Sequence, residues 1–213
     1  MISGELLGTI VHSVMERIDS VGNGEDSIRS EVERVLLSLG VPNRSNLTGE
    51  IIRVVQNVIG SAFWTEVVAG QNAKTEFTIT TTLGDDYLTG TIDRVYQDQN
   101  GIWNVLDFKT DAIKGIVPED LLHEYTSQLK FYALLVHKFL STNPVRASLL
   151  FTSLVGKPIT ELYSSDELGT FEQEVSAIIS KIKSGAFHSD KGPCSGCPFL
   201  PVGCPSNLKS FNP

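Results

Sequence analysis

Basic residues are scarce in this chain. Lysine and arginine number 17 against 25 aspartates and glutamates, a formal net charge of −8. That deficit disfavours a free-standing, sequence-indifferent nucleic-acid binder, which normally grips phosphates with a basic surface. It leaves open an enzyme that meets nucleic acid through metal ions, or one delivered by a partner. Long apolar runs are missing too: no segment approaches the roughly 20 consecutive apolar residues of a membrane helix. No basic-then-apolar leader opens the chain either, since Met1–Leu7 carries Glu5 and no Lys or Arg. The expected location is therefore the cytoplasm, with no membrane partner. Cysteine is limited to Cys194, Cys197 and Cys204, a C-terminal cluster unlike the disulfide framework of a secreted protein. What is present, 213 residues with 41% hydrophobic content, is enough for one sizeable core.

Periodicity divides the chain into parts. Residues 4–19 repeat apolar positions at helical spacing (Leu6, Leu7, Ile10, Val11, Val14, Ile18). Residues 27–39 read as a second helix, with Ser27 as its N-cap and Gly40-Val41-Pro42 as its stop. Residues 46–60 read as a third. The period then shortens: "TEFTITTT", "YLTGTIDRVYQ" and "IWNVLDFKT" alternate and are rich in β-branched residues. A long helix is expected over 118–141, starting at Pro118. Two more strands, "VRASLLFTS" and "ITELY", and a last helix over 165–184 follow. The Gly-, Pro- and Cys-rich tail reads as irregular. The expectation is one α/β domain over 1–213: an N-terminal helical part (1–62), a mixed central sheet flanked by helices (73–184) and the tail (185–213).

The stretch "VLDFKTD" places Asp107 and Lys109 on one side of a strand, with Leu106, Phe108 and Thr110 on the other. An exposed ion pair is the bland account of that pattern. Asp93, on the preceding strand, decides whether more is present. A two-residue Asn100-Gly101 turn would turn Asp93 and Asp107 to opposite faces. A three-residue loop, Gln99-Asn100-Gly101, pairs Asp98 with Ile102 and sets Asp93 across from Asp107. Gly101 suits the left-handed position of that loop, so the three-residue register is expected. Two carboxylates facing each other at about 5 Å are unfavourable unless a cation lies between them. Oxygen ligands of this kind suit Mg²⁺ or Mn²⁺, with Lys109 at hand for a water or a phosphate oxygen.

"GTIDRV…VLDFKTD" resembles the active-site hairpin of the PD-(D/E)XK nuclease superfamily, and more narrowly the RecB/AddA-like domain at the C-terminus of helicase-nucleases. "LLGTIVHSVMERI" resembles that family's histidine helix, and "YTSQLKFYALLV" carries its Q-x-x-x-Y pattern. The segments stand in the family's order over residues 6–135, with Ile92 in place of a proline before Asp93. The resemblance implies a restriction-endonuclease-like core. It also implies His12, Asp93, Asp107 and the Phe108 backbone carbonyl as metal ligands, Lys109 beside the attacking water, and Asp93, Asp107 and Lys109 as catalytic residues. Gln128 and Tyr132 would contact DNA or brace the site, or else serve as ordinary helix surface and core. Glu76 is a marginal supporter of the metal shell. The implied activity is Mg²⁺- or Mn²⁺-dependent DNA exonuclease cleavage in double-strand-break processing. The implied partners are DNA ends, a helicase domain in the same polypeptide and a companion helicase-nuclease subunit. Since His12 lies so near Met1, the chain is expected to be a fragment of such a polypeptide. A catalytically silent DNA-end or partner-binding module is the alternative, and an unrelated metal-stabilised interaction domain is a third reading.

Part of the same family joins three C-terminal cysteines to a fourth, upstream of the histidine helix, around a [4Fe–4S] cluster. Cys194, Cys197 and Cys204 fit that pattern. They also fit a Cys₃His zinc site completed by His188, or no metal at all.

Overall fold

The computed structural model describes residues 4–22, 24–42, 45–110, 118–152 and 158–185. Two compact units make up the chain, Met1–Glu172 and Gln173–Pro213. The first contains α1 (Gly4–Val21), α2 (Glu25–Ser38), α3 (Ser45–Ile59), α4 (Ala62–Val68), β1 (Gln71–Leu83), β2 (Asp86–Gln97), β3 (Trp103–Lys109), α5 (Pro118–Leu140), β4 (Val145–Phe151) and β5 (Ile159–Tyr163). Helix α6 (Ser165–Lys183) begins in the first unit and supplies the described part of the second. No helix among the described residues is long and apolar enough to cross a membrane.

The strands form one mixed sheet in the order β1-β2-β3-β4-β5. β3 and β4 are parallel and the other neighbours antiparallel. A parallel pair needs a crossover, and α5 supplies it. The expected α/β class with a central mixed sheet flanked by helices is what the chain adopts. Side chains alternate across β3 and β4 as the pattern required. Leu106, Phe108 and Leu150 join the apolar cores of α1 to α4, while Phe151 meets Tyr125 of α5 edge-on at 5.9 Å. Helix α5 seals its side with Leu129, Ala133 and Leu134, all fully buried. Each buried leucine contributes roughly 1.5–3 kcal/mol.

The β2–β3 loop has the three-residue form. Asp98 N donates to Ile102 O (2.9 Å) and Gly101 N to Asp98 O (3.0 Å). Gly101 takes φ +81°. Val95 therefore pairs with Val105 and Arg94 with Leu106.

Two local expectations are corrected. Ser27 does not cap α2: the helix starts at Glu25 with Gly24 as its N-cap. Glu25 and Asp26 fill the first turn, where carboxylates complement the positive end of the helix dipole. Helix α4 is absent from the sequence expectation, because seven residues are too few for a helical period to show. Its marker was Ser61, whose side chain accepts from Trp64 N.

Candidate active site

The β2–β3 ladder ends one step before the two aspartates. Its last pair is Arg94–Leu106, so Asp93 and Asp107 come next in register, but the strands part there. Asp93 Oδ2 instead accepts the Phe108 backbone N–H at 2.7 Å. Separation relieves the repulsion that two facing carboxylates would suffer.

Period-two alternation also lapses at this point. Gly90 faces α5: a Cβ there would stand 2.8 Å from Leu135 Cδ1. Asp93 turns to α1, with Oδ1 3.4 Å from His12 Nδ1. Arg94, the very next residue, reaches the same helix through Asp19 at 2.8 Å. The neighbouring strand accommodates the lapse. Glu76, between the pairs Thr75–Arg94 and Phe77–Ile92, takes a left-handed φ of +46°. A glutamate resists that conformation by about 1–2 kcal/mol. The result is a cluster: one ligand atom each from His12, Glu76 and Asp93, all within 4.8 Å of one another. These three and Glu16 line an open cleft of about 690 Å³. Gly8 lets α1 come this close, since a Cβ there would lie 2.8 Å from Thr110 Oγ1.

A second cluster adjoins the first. Asp107 Oδ2 lies 2.8 Å from Lys109 Nζ as an ion pair and has no hydrogen-bond partner among the described residues. Gln128 ties the pair to α5. Its Oε1 accepts from Lys109 Nζ (3.1 Å), and its Nε2 donates to Asp107 Oδ1 (3.1 Å) and to Tyr132 OH (3.1 Å). The Lys109 ammonium also sits over the Tyr125 ring, 4.9 Å from its centroid. With side-chain exposures of 4% for Asp107 and 17% for Lys109, the loose surface pair is ruled out.

The local field favours a cation. Burial, then the Asp93 charge, pushes the Asp107 carboxyl up to about 6, against the pull of Lys109 and His12. Glu76 is raised by burial and by the charges of Asp93, Glu16 and Asp107. Burial pulls His12 down, but its bond to Asp93 and the charges of Asp93, Asp107 and Glu76 outweigh that and leave it raised. An imidazole and converging carboxylates form a donor set that fits a divalent metal.

A model of the PD-(D/E)XK nuclease superfamily matches residues 3–205. The chain belongs to that superfamily. The crystal structure of a "putative exonuclease" from Eubacterium rectale overlays with a TM-score of 0.57 at 13% identity, over 96% of this chain and 76% of that one. At such identity the two share a fold. A second solved structure, SSO0001, overlays with a TM-score of 0.43 at 18% identity, over 93% of this chain and 84% of that one, too loose to add to the assignment. No curated protein sequence matches the chain.

PD-(D/E)XK nucleases use divalent metals, and the acidic cleft offers a place for one. Of the residues singled out in the sequence, His12 and Asp93 meet directly, while Asp107, Lys109, Gln128 and Tyr132 meet one another. Phe108 joins the two groups through its N–H to Asp93 and a ring set edge-on to His12 at 6.0 Å. Glu76, a marginal candidate in the sequence, stands inside the first cluster. No motif marks Glu16; its one signal in the sequence is its place one helical turn from His12 on the same face. Cys194, Cys197, Cys204 and His188 lie outside the described residues.

Proposed function

We propose that this chain is a Mg²⁺- or Mn²⁺-dependent deoxyribonuclease that hydrolyses phosphodiester bonds at DNA ends. The observation that carries the reading is the junction at Phe108, where a histidine–carboxylate cluster and a buried Asp107–Lys109 pair adjoin in a PD-(D/E)XK fold. His12, Asp93, Glu76 and Asp107 would hold the ion, with the Phe108 carbonyl as a further oxygen. When bound, such an ion neutralises charge on the scissile phosphate and supplies a water of lowered pKa. The residues do the rest. The Phe108 N–H fixes Asp93 Oδ2, leaving Oδ1 toward His12 and the cleft. Gln128 holds the Lys109 ammonium beside Asp107, from where it can donate to the attacking water or to a phosphate oxygen. Tyr132 and Tyr125 fix Gln128 and Lys109 in turn.

The charge of −8 supports a further part of the proposal: DNA is delivered by a helicase in double-strand-break processing, and the motor supplies most of the affinity for the strand. The test is cleavage of end-labelled linear DNA with Mn²⁺, Mg²⁺ or EDTA. Cleavage should require the ion and fall at least about a hundredfold in Lys109→Ala, the usual scale for losing a group that handles the reacting water. DNA binding without cleavage, with the ion bound, would instead identify a silent end-binding module.

A further inference from the structure

Arg94 is buried to 2% exposure next to Asp93, yet it takes no part in the acidic cleft. Among the described residues only Nη2 is matched, 2.8 Å from Asp19 Oδ2; Nε and Nη1 are buried without an acceptor there. The guanidinium lies over the Trp64 ring, 5.1 Å from its centroid. An apolar side chain of similar length would be easier to bury than a half-matched cation. The use of an arginine here therefore lies in what it connects.

Its connections close a circuit around the proposed metal site. Asp19 stands two helical turns from His12 on one face of α1. Trp64 packs against Phe108 at 6.2 Å, and Phe108 against His12 at 6.0 Å. The Phe108 N–H returns to Asp93, the residue bonded to Arg94. The hydrophobic drive that buries Ile10, Val11, Val14 and Ile18 of α1 is non-directional and does not by itself choose which polar groups meet. Two polar contacts, His12–Asp93 and Asp19–Arg94, join α1 to β2 at points two helical turns apart. A slip of one turn, about 5.4 Å, would carry His12 out of reach of Asp93. A planar guanidinium fixed by a stack on one face and a carboxylate at one end opposes such a slip.

We propose that Arg94 is a positioning residue: its bridge to Asp19 and its stack on Trp64 set the register of α1 against β2 that lets His12 meet Asp93. The consequence for metal rests on the reading of the cleft given above; the positional claim itself does not. The test uses the full chain with Arg94→Met, which keeps length and packing on Trp64 but removes the directed contacts. Mn²⁺ affinity by titration calorimetry should fall roughly 10- to 100-fold, the range seen when an outer partner of a metal ligand is lost. The melting temperature in EDTA should hold or rise. Without any ion, the nuclear Overhauser contact between the His12 and Phe108 rings should weaken. Asp19→Asn, at a half-exposed position, serves if Arg94→Met fails to fold, and should lower Mn²⁺ affinity in the same direction. Unchanged Mn²⁺ affinity in a folded variant, with the His12–Phe108 contact intact, overturns the proposal. A wild type that binds no Mn²⁺ refutes the metal-site reading alone, since the ring contact still decides what Arg94 does.

Discussion

Replacing Asp107 by asparagine should stabilise the metal-free protein while destroying its proposed chemistry. The carboxyl ordinarily titrates at 3.8 and is pushed up to about 6 in the fold, by burial first and the Asp93 charge second. An acid whose pKa rises on folding binds its proton more tightly when folded. Between 3.8 and about 6 the folded state therefore holds more proton than the unfolded one, and stability falls as pH rises through that window. Above it the full penalty applies. A gap of about two pKa units corresponds to roughly 3 kcal/mol. The attraction of Lys109 is already contained in that gap, because it is among the causes that set the shifted value. Asparagine resembles the neutral acid and escapes the penalty. In EDTA at neutral pH, Asp107→Asn should therefore melt higher, by up to about 10 °C for a chain of this size. The difference between variant and wild type should shrink toward zero as pH falls below the window, which cancels the contributions of other acids. Saturating Mn²⁺ should reverse the order. At a thousand times its dissociation constant an ion adds about 4.1 kcal/mol to the wild type, more than the penalty, whereas the variant should gain little. The assay is thermal unfolding across pH, with EDTA and with Mn²⁺. A variant that melts below the wild type in EDTA at neutral pH would refute the reasoning, because Asp107 would then be a settled member of its ion pair.

Three further changes test how the fold presents the site. Gly101→Val forces a β-branched residue into φ +81° and should cost about 1–2 kcal/mol or more, read as a lowered denaturant midpoint, with loss of the Asp98–Ile102 amide protection in hydrogen exchange. Ser61→Ala removes the cap of α4 and should cost about 1 kcal/mol; because α4 carries Trp64, packed against Phe108, the Phe108 ring resonances should shift with it. Leu129→Ala, at a fully buried position beside Gln128, should cost about 2–5 kcal/mol in urea unfolding.

The parts of the site legible in the sequence are those that local rules govern. Gly101 fixed the loop length, and loop length fixes register; Asp107 and Lys109 follow from alternation along one strand. The helix pattern placed His12 and the Gln128–Tyr132 pair on single faces. The sequence understates Glu76 for a physical reason. Its place beside Asp93 depends on a left-handed φ in β1 and a lapse of alternation in β2, and both arise from the way α1 docks. Nothing in "TEFTITTT", an alternating run, signals that one of its residues departs from extended geometry.

Arg94 shows the same limit from the other side. In "GTIDRV" strict alternation would send Asp93 and Arg94 to opposite faces, so the arginine would read as unrelated to the aspartate's chemistry. Both residues turn to α1, and the consequence is economical. A strand offers residues at about 3.3 Å intervals and a helix returns to one face every turn or two. Two consecutive strand residues can therefore hold two points on one helix only where the strand locally abandons its pleat. The proposed metal site sits at that irregularity because converging ligands from a helix and two strands need a geometry that neither regular element supplies alone. The strain at Glu76 and the unmatched donors of Arg94 are costs of holding it, and each should be recovered as stability by any substitution that lets β2 return to regular alternation, at the expense of the His12–Asp93 contact.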